Sequence, residues 1–214
     1  MTSRDMVIRT IKFQGADRLP YDLPAPYGSD FAVIGMRPSP DDRPPNGPDE
    51  WGCVWKNIGI CNDWGLQSRL MISPEFWRVL WKPRYAQIYK AAHAAGLCTF
   101  LHSCGYIVDI LDDLIEIGLD VIHMDQQENM GLELLGRRFG GRITFFSPVD
   151  IQKTMVRGSL DDIRRYARDM VRLLGRPKGG FIPRWYADPQ GAGHRPEALD
   201  AMSAEFIKLS RKQP

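Results

Sequence analysis

A chain of 214 residues with 43% hydrophobic content and a formal charge of +2 can bury one sizeable core. It carries no Lys/Arg block to bind nucleic acid, and no apolar run near the roughly 20 residues that span a bilayer. The start, Met1-Thr2-Ser3-Arg4-Asp5, lacks a signal peptide's apolar stretch, and Cys53, Cys61, Cys98 and Cys104 are too scattered for a disulfide framework; a cytoplasmic protein with reduced thiols is expected.

Asp5 to Phe13 is a short amphipathic segment. A Pro/Gly-rich stretch follows from Gly15 to Asp49 and includes Arg37-Pro38-Ser39-Pro40 and Arg43-Pro44-Pro45-Asn46-Gly47-Pro48. Prolines at that density cannot propagate a helix or a sheet ladder, so no regular structure is predicted there. The stretch ends in Trp51-Gly52-Cys53-Val54-Trp55, which is apolar enough to pack. The chain therefore divides into an irregular part, 1–59, and a regular part, 60–214.

A short strand over Ile58 to Cys61 leads into Asn62-Asp63-Trp64. Ser73, Pro74 and Glu75 supply an N-cap, a first-turn proline and a first-turn acid. Phe76, Leu80, Ile88, Ala91, Ala92 and Ala95 then recur at helical spacing as far as Gly96, which predicts one long helix bent near Pro83. The apolar run Leu97 to His102 reads as a buried strand. A helix carrying Ile107, Ile110, Leu111, Leu114 and Ile115 stops at Gly118, and a strand follows over Asp120 to Met124. Next come a helix near Met130 to Phe139, a strand from Arg142 to Ser147, and a helix opened by Ser159 with Asp162 three residues on, a capping-box spacing. The last strand, Gly180 to Pro183, passes through a Gly-rich loop to a helix that begins near Pro196.

This alternation implies parallel β-α units, with strands apolar on both faces. The predicted class is α/β, of (β/α)₈ barrel type. Such barrels run to about 250 residues with eight strands, and about five strands are found here, so the barrel is incomplete.

In such architectures functional groups sit at the carboxyl ends of the strands. Residues two apart on an extended segment point the same way, so His102 and Cys104 can share one focus, a pairing that suits zinc. A buried core histidine beside an inert thiol is the structural alternative. The other strand ends offer Asp63 and Trp64, Gln126 after Asp125, Asp150 after Ser147-Pro148-Val149, and Arg184, Trp185 and Tyr186. Asp63 and Asp150 are the candidate catalytic acids, with Trp64, Gln126, Arg184 and Tyr186 as candidate substrate contacts. Taken singly, the acids also read as turn or cap residues and the tryptophans as rim packing. His93 reads as structural and His123 as a core histidine, while His194 lies beside glycines at a helix start where an anion can be cradled.

Several runs together resemble the uroporphyrinogen decarboxylase superfamily: Asp63-Trp64-Gly65, Ile72-Ser73-Pro74-Glu75-Phe76-Trp77, Lys82-Pro83-Arg84-Tyr85, His102-Ser103-Cys104-Gly105 and Leu114-Ile115-Glu116-Ile117-Gly118-Leu119-Asp120. The closer likeness is to its branch of cobalamin-dependent, zinc-containing methyltransferases. Thr2-Ser3-Arg4-Asp5 and Ala16-Asp17-Arg18-Leu19-Pro20 are similar to that family's N-terminal helix and its Asp-Arg-x-Pro. The likeness covers nearly the whole chain in two blocks that meet near Ile58 to Cys61, where family members carry a long stretch with the early barrel strands. The chain thus resembles a family member with the middle of its barrel missing.

The resemblance implies a barrel with its site at the mouth. It also implies zinc held by a His-x-Cys pair and a later cysteine, binding an acceptor thiol that takes a methyl group from a methyl-corrinoid. His102 and Cys104 match the first two ligands; no cysteine follows Cys104, which leaves an acid such as Asp125 or Asp150 as the third. The decarboxylase alternative calls for an early Arg-rich loop, which is not found, and a Gly-Asn-x-Asp-Pro segment, replaced here by Ser147-Pro148-Val149-Asp150. A third alternative is a catalytically silent barrel fragment that associates, as a homo-oligomer or with a partner, through an open sheet edge. The expected partner of an active protein is a small molecule or a corrinoid protein.

Overall fold

The structure, a computed structural model, describes residues 1–31 and 57–211, with Asn57–Cys61 described by their backbone. The proline-rich run and the Trp51 to Trp55 segment lie outside the described residues. Helix α1 spans Ser3–Ile11 and is opened by a reciprocal capping box between Thr2 and Asp5. Five strands follow: β1 Asn57–Cys61, β2 Cys98–His102, β3 Val121–His123, β4 Thr144–Ser147 and β5 Phe181–Pro183. They form one parallel sheet in the order β1-β2-β3-β4-β5.

Sequential order is the informative feature. Right-handed crossovers between successive neighbours place every connecting helix on the same side of the sheet, as in a barrel, whereas a doubly wound sheet reverses direction. The expected incomplete barrel-type α/β fold is what the described residues form. No helix among them is long and apolar enough to cross a membrane.

The connecting helices are α2 Pro74–Leu80, α3 Lys82–Ala94, α4 Val108–Glu116, α5 Leu132–Phe139, α6 Thr154–Arg157, α7 Leu160–Leu174 and α8 Pro196–Ser210. The single long helix predicted over 73–96 is two helices that meet at Trp81. Pro83 cannot continue α2, because it has no N–H to donate and its ring would crowd the Val79 carbonyl; in the first turn of a new helix neither matters. Helix α7 opens as predicted, with Ser159 and Asp162 capping each other.

The two sheet faces hold different cores. Leu101, Ile122, Phe145 and Phe181 are in register and share the main core with Trp77, Tyr89, Leu111, Leu135, Phe139, Met170 and Phe206 from the helices. On the other face Val121, Phe146 and Ile182 pack with Phe100, and α1 covers them with Val7 and Ile11, joined by Phe31. The N-terminal segment also follows the outer edge of β5: Asp22 donates its N–H to the Pro183 carbonyl, and its own carbonyl accepts from Trp185. Leu19 and Leu23 enter the main core. This strapping orients the Arg184-Trp185 turn at the sheet's carboxyl edge.

Candidate functional site

Two loops that leave β1 and β2 are pressed together by a pair of glycines. Gly65 donates to the Cys104 carbonyl at 3.2 Å, and Tyr106 donates to the Leu66 carbonyl at 2.7 Å. A Cβ on Gly105, whose φ is +77°, would lie 2.2 Å from the Gly65 oxygen, and one on Gly65 would lie 2.4 Å from the Tyr106 nitrogen. Only glycine permits this approach. It carries Asp63 to the side of Cys104, where Oδ1 of Asp63 accepts the Cys104 N–H at 2.8 Å. Gln126, from the loop after β3, accepts the Gly105 N–H at 3.0 Å.

Cys104 Sγ lies 3.5 Å from His102 Nε2, and Asp63 Oδ1 lies 3.4 Å from the same nitrogen. A sulfur, a nitrogen and an oxygen from Cys104, His102 and Asp63 thus lie within 4.8 Å of one another, close enough to take one metal ion. The set mixes thiolate, imidazole and carboxylate, all of which zinc accepts. Asp63 is exposed while His102 and Cys104 are half-buried, so this focus opens outward.

Behind it lies a second group. His102 and His123 are register partners on adjacent strands, and their Nδ1 atoms are 2.9 Å apart. His123 Nε2 is 3.1 Å from Asp125 Oδ1 and in direct contact with Nη1 of Arg184, which is itself 3.6 Å from Asp125. His102, His123 and Asp125 also lie within metal-sharing distance, but the guanidinium already places a positive charge there, which disfavours a second cation. Burial pushes His123 below the ordinary histidine range despite the opposing pull of Asp125, so its imidazole is neutral at pH 7. Burial works against ionising Asp125 too, but the bond to His123 and the nearby Arg184 outweigh it and hold the carboxyl below the usual range.

The remaining candidates divide. Trp64 turns its indole into the aromatic cluster of Trp77, Trp81 and Tyr85, with its Nε1–H on the Tyr85 hydroxyl at 3.0 Å; it anchors the Asp63 loop from behind. Asp150 is buried, and its two oxygens accept the backbone N–H groups of Gln152, Lys153 and Thr154, which fixes the turn into α6. Its carboxylate is engaged there, and among the described residues it is in neither of the two groups that could share a metal ion. Tyr186 is half-buried and packs on the ring of His194, 5.9 Å between centroids. His194 is buried with Nε2 donating to the Ile151 carbonyl, which is a structural tie.

His123 is the residue that the spacing argument passes over. The clue is present in the sequence: His123-Met124-Asp125 repeats the His-x-ligand spacing of His102-Ser103-Cys104 at the next strand end. Only the register between β2 and β3 gives that repetition meaning.

The profile of the uroporphyrinogen decarboxylase (URO-D) family matches residues 58–183, more than half of the chain. Among solved structures, a methyltransferase from Methanosarcina mazei is similar with a TM-score of 0.53 and 19% identity over 72% of this chain. The likeness spans 42% of that methyltransferase's length. No curated protein matches the chain.

Proposed function

The chain belongs to the uroporphyrinogen decarboxylase family, and on that premise we propose zinc-dependent methyl transfer from a methyl-corrinoid to a thiol. The observation that carries this reading is the convergence of His102, Cys104 and Asp63 on one outward-facing point. His102 and Cys104 would hold the ion together with Asp63, which takes the place of the later cysteine as third ligand. Bound there, zinc lowers the pKa of an acceptor thiol so that a thiolate nucleophile exists at neutral pH.

The chain's own residues do the positioning. Asp63 is steered by the Cys104 N–H and by the Gly65–Gly105 contact, and Gln126 holds the Gly105 amide so that the Cys104 turn keeps its shape. Arg184 stands at the strand end where a late cysteine ligand is expected, and its charge is engaged with His123 and Asp125. That engagement also weighs against a tetrapyrrole decarboxylase, because several pendant carboxylates need several cations at the mouth.

Zinc analysis of the purified protein, repeated for His102→Ala, Cys104→Ala and Asp63→Ala, tests the ligand set; about one zinc per chain, lost in each variant, is expected. Methyl transfer is read from demethylation of methylcobalamin in the presence of a thiol. A protein that retains no zinc after reconstitution overturns the mechanism.

A further inference from the structure

We propose that a cavity between α6 and α7 binds a small organic phosphate monoester, with Lys153 and Arg157 holding the phosphate. The cavity measures about 360 Å³, and Thr154, Arg165 and Tyr166 line it beside those two cations. It shares no residue with the candidate metal site and is independent of the zinc reading.

The charges around this cavity are unequally matched. Its acids are Asp162 and Asp169, and both are engaged. Asp162 accepts the Ser159 N–H at 3.0 Å and hydroxyl at 2.7 Å and is in direct contact with Arg165, while Asp169 pairs with Arg172 at 2.8 Å. Lys153 and Arg157 are exposed, and among the described residues neither side chain has a hydrogen-bond or ion-pair partner. Two acids are thus answered by two guanidiniums, and two further cations on the same concave surface are left unanswered. A phosphate monoester carries about −1.5 to −2 at neutral pH, which matches them. Two like charges on one cavity wall repel, and a shared dianion relieves that repulsion. The Thr154 hydroxyl adds a donor for a phosphate oxygen.

The backbone that presents these groups is already fixed. Asp150 accepts the N–H groups of Lys153 at 3.1 Å and Thr154 at 2.8 Å, and Arg195 donates to the Gly158 carbonyl at 2.5 Å. Gly158 closes α6 so tightly that a Cβ there would lie 2.6 Å from the Thr154 oxygen. Lys153, Thr154 and Arg157 therefore stand on one short helix anchored at both ends, and an arriving anion orders side chains only. Tyr166 is held too: its hydroxyl donates to Glu128 Oε1 at 2.5 Å and accepts from Gln127 Nε2 at 3.3 Å. The Glu128 carboxylate is turned to that hydroxyl and does not line the cavity. Size points to an ester rather than the free ion. Pockets of roughly 300–1,000 Å³ take organic ligands, inorganic phosphate would leave most of this one empty, and the Tyr166 ring offers the remainder an apolar wall.

The test uses the full chain and ¹H–¹⁵N NMR at constant ionic strength, with phenyl phosphate, inorganic phosphate and benzoate as probes. Phenyl phosphate is expected to give saturable shifts centred on Lys153 to Gly158 and Asp162 to Tyr166. Inorganic phosphate should move the same residues with about tenfold weaker affinity, for want of apolar contact, and benzoate should not saturate. Lys153→Gln and Arg157→Gln should each weaken phenyl phosphate binding about tenfold, and the double variant should abolish it. Neither substitution should lower the melting temperature, because neither side chain has a partner to lose among the described residues. Lys90→Gln, on α3, should bind as the wild type does. Shifts that rise without saturating, that benzoate reproduces or that the double variant retains overturn the site. Equal affinity for the two phosphates overturns the assignment to an ester.

Discussion

Replacing Gly105 by alanine tests whether contact between two loops builds the candidate site. The residue has a φ of +77°, and an added Cβ would meet the Gly65 oxygen at 2.2 Å and its carbonyl carbon at 2.3 Å. Both obstacles are backbone, so no side chain can swing aside. The left-handed conformation alone costs an alanine about 1–2 kcal/mol, and forced overpacking adds about 1–3 kcal/mol. Gly96 supplies the control: its φ is +72° but nothing lies within 4 Å of its Cβ position. Gly96→Ala should therefore lose only the first term, and Gly105→Ala about 2–5 kcal/mol in total. For a chain of this size each kcal/mol moves the melting temperature by about 2–4 °C, so calorimetry resolves the two variants and urea titration confirms the ranking. Because the displaced loop carries Asp63, Gly105→Ala should also weaken zinc binding, while Gly96→Ala leaves it unchanged. Equal destabilisation by the two substitutions would refute the close-approach argument.

Two further substitutions separate structural from functional acids. Asp150→Ala removes the acceptor for three backbone N–H groups and should cost about 1–3 kcal/mol with zinc stoichiometry unaltered; loss of zinc together with an undiminished melting temperature would make Asp150 a ligand instead. Asp113 ties α4 to the preceding helices through Arg78 at 2.9 Å and Lys82 at 2.8 Å. Burial opposes ionisation of its carboxyl, but these two cations prevail and depress it below the ordinary 3.8. The unfolded chain therefore binds the proton more readily, and the stabilisation is present above 3.8 and lost as pH falls through the depressed value. Asp113→Asn should flatten the acid limb of a stability-against-pH profile below about pH 4, and an unchanged limb in urea titrations would remove Asp113 from that role.

The local order of the fold was legible because it rests on short-range chemistry. Ser73-Pro74 and Ser159 with Asp162 mark helix starts through groups within one turn of each other, and the apolar runs that end at His102 and Ser147 mark strands by their own composition. The break at Trp81 was harder to read, since Pro83 bends a helix or restarts one depending on how its neighbours pack. His102 and Cys104 were legible as a pair for the same local reason, since two residues along a strand share a direction whatever surrounds them.

What spacing alone could not supply is every partner that reaches the pair from another element. Asp63 arrives from a loop held by two glycines that touch, His123 from the register of β3 against β2, and Arg184 from an edge strand strapped by Asp22. Asp150, by contrast, stands at an equivalent strand end and spends its carboxylate on its own turn. Chain order determines which groups lie at the mouth of a parallel sheet, because strand ends follow from composition. Which of them meet is decided by register, loop contact and competing hydrogen bonds, and these exist only once the sheet has assembled.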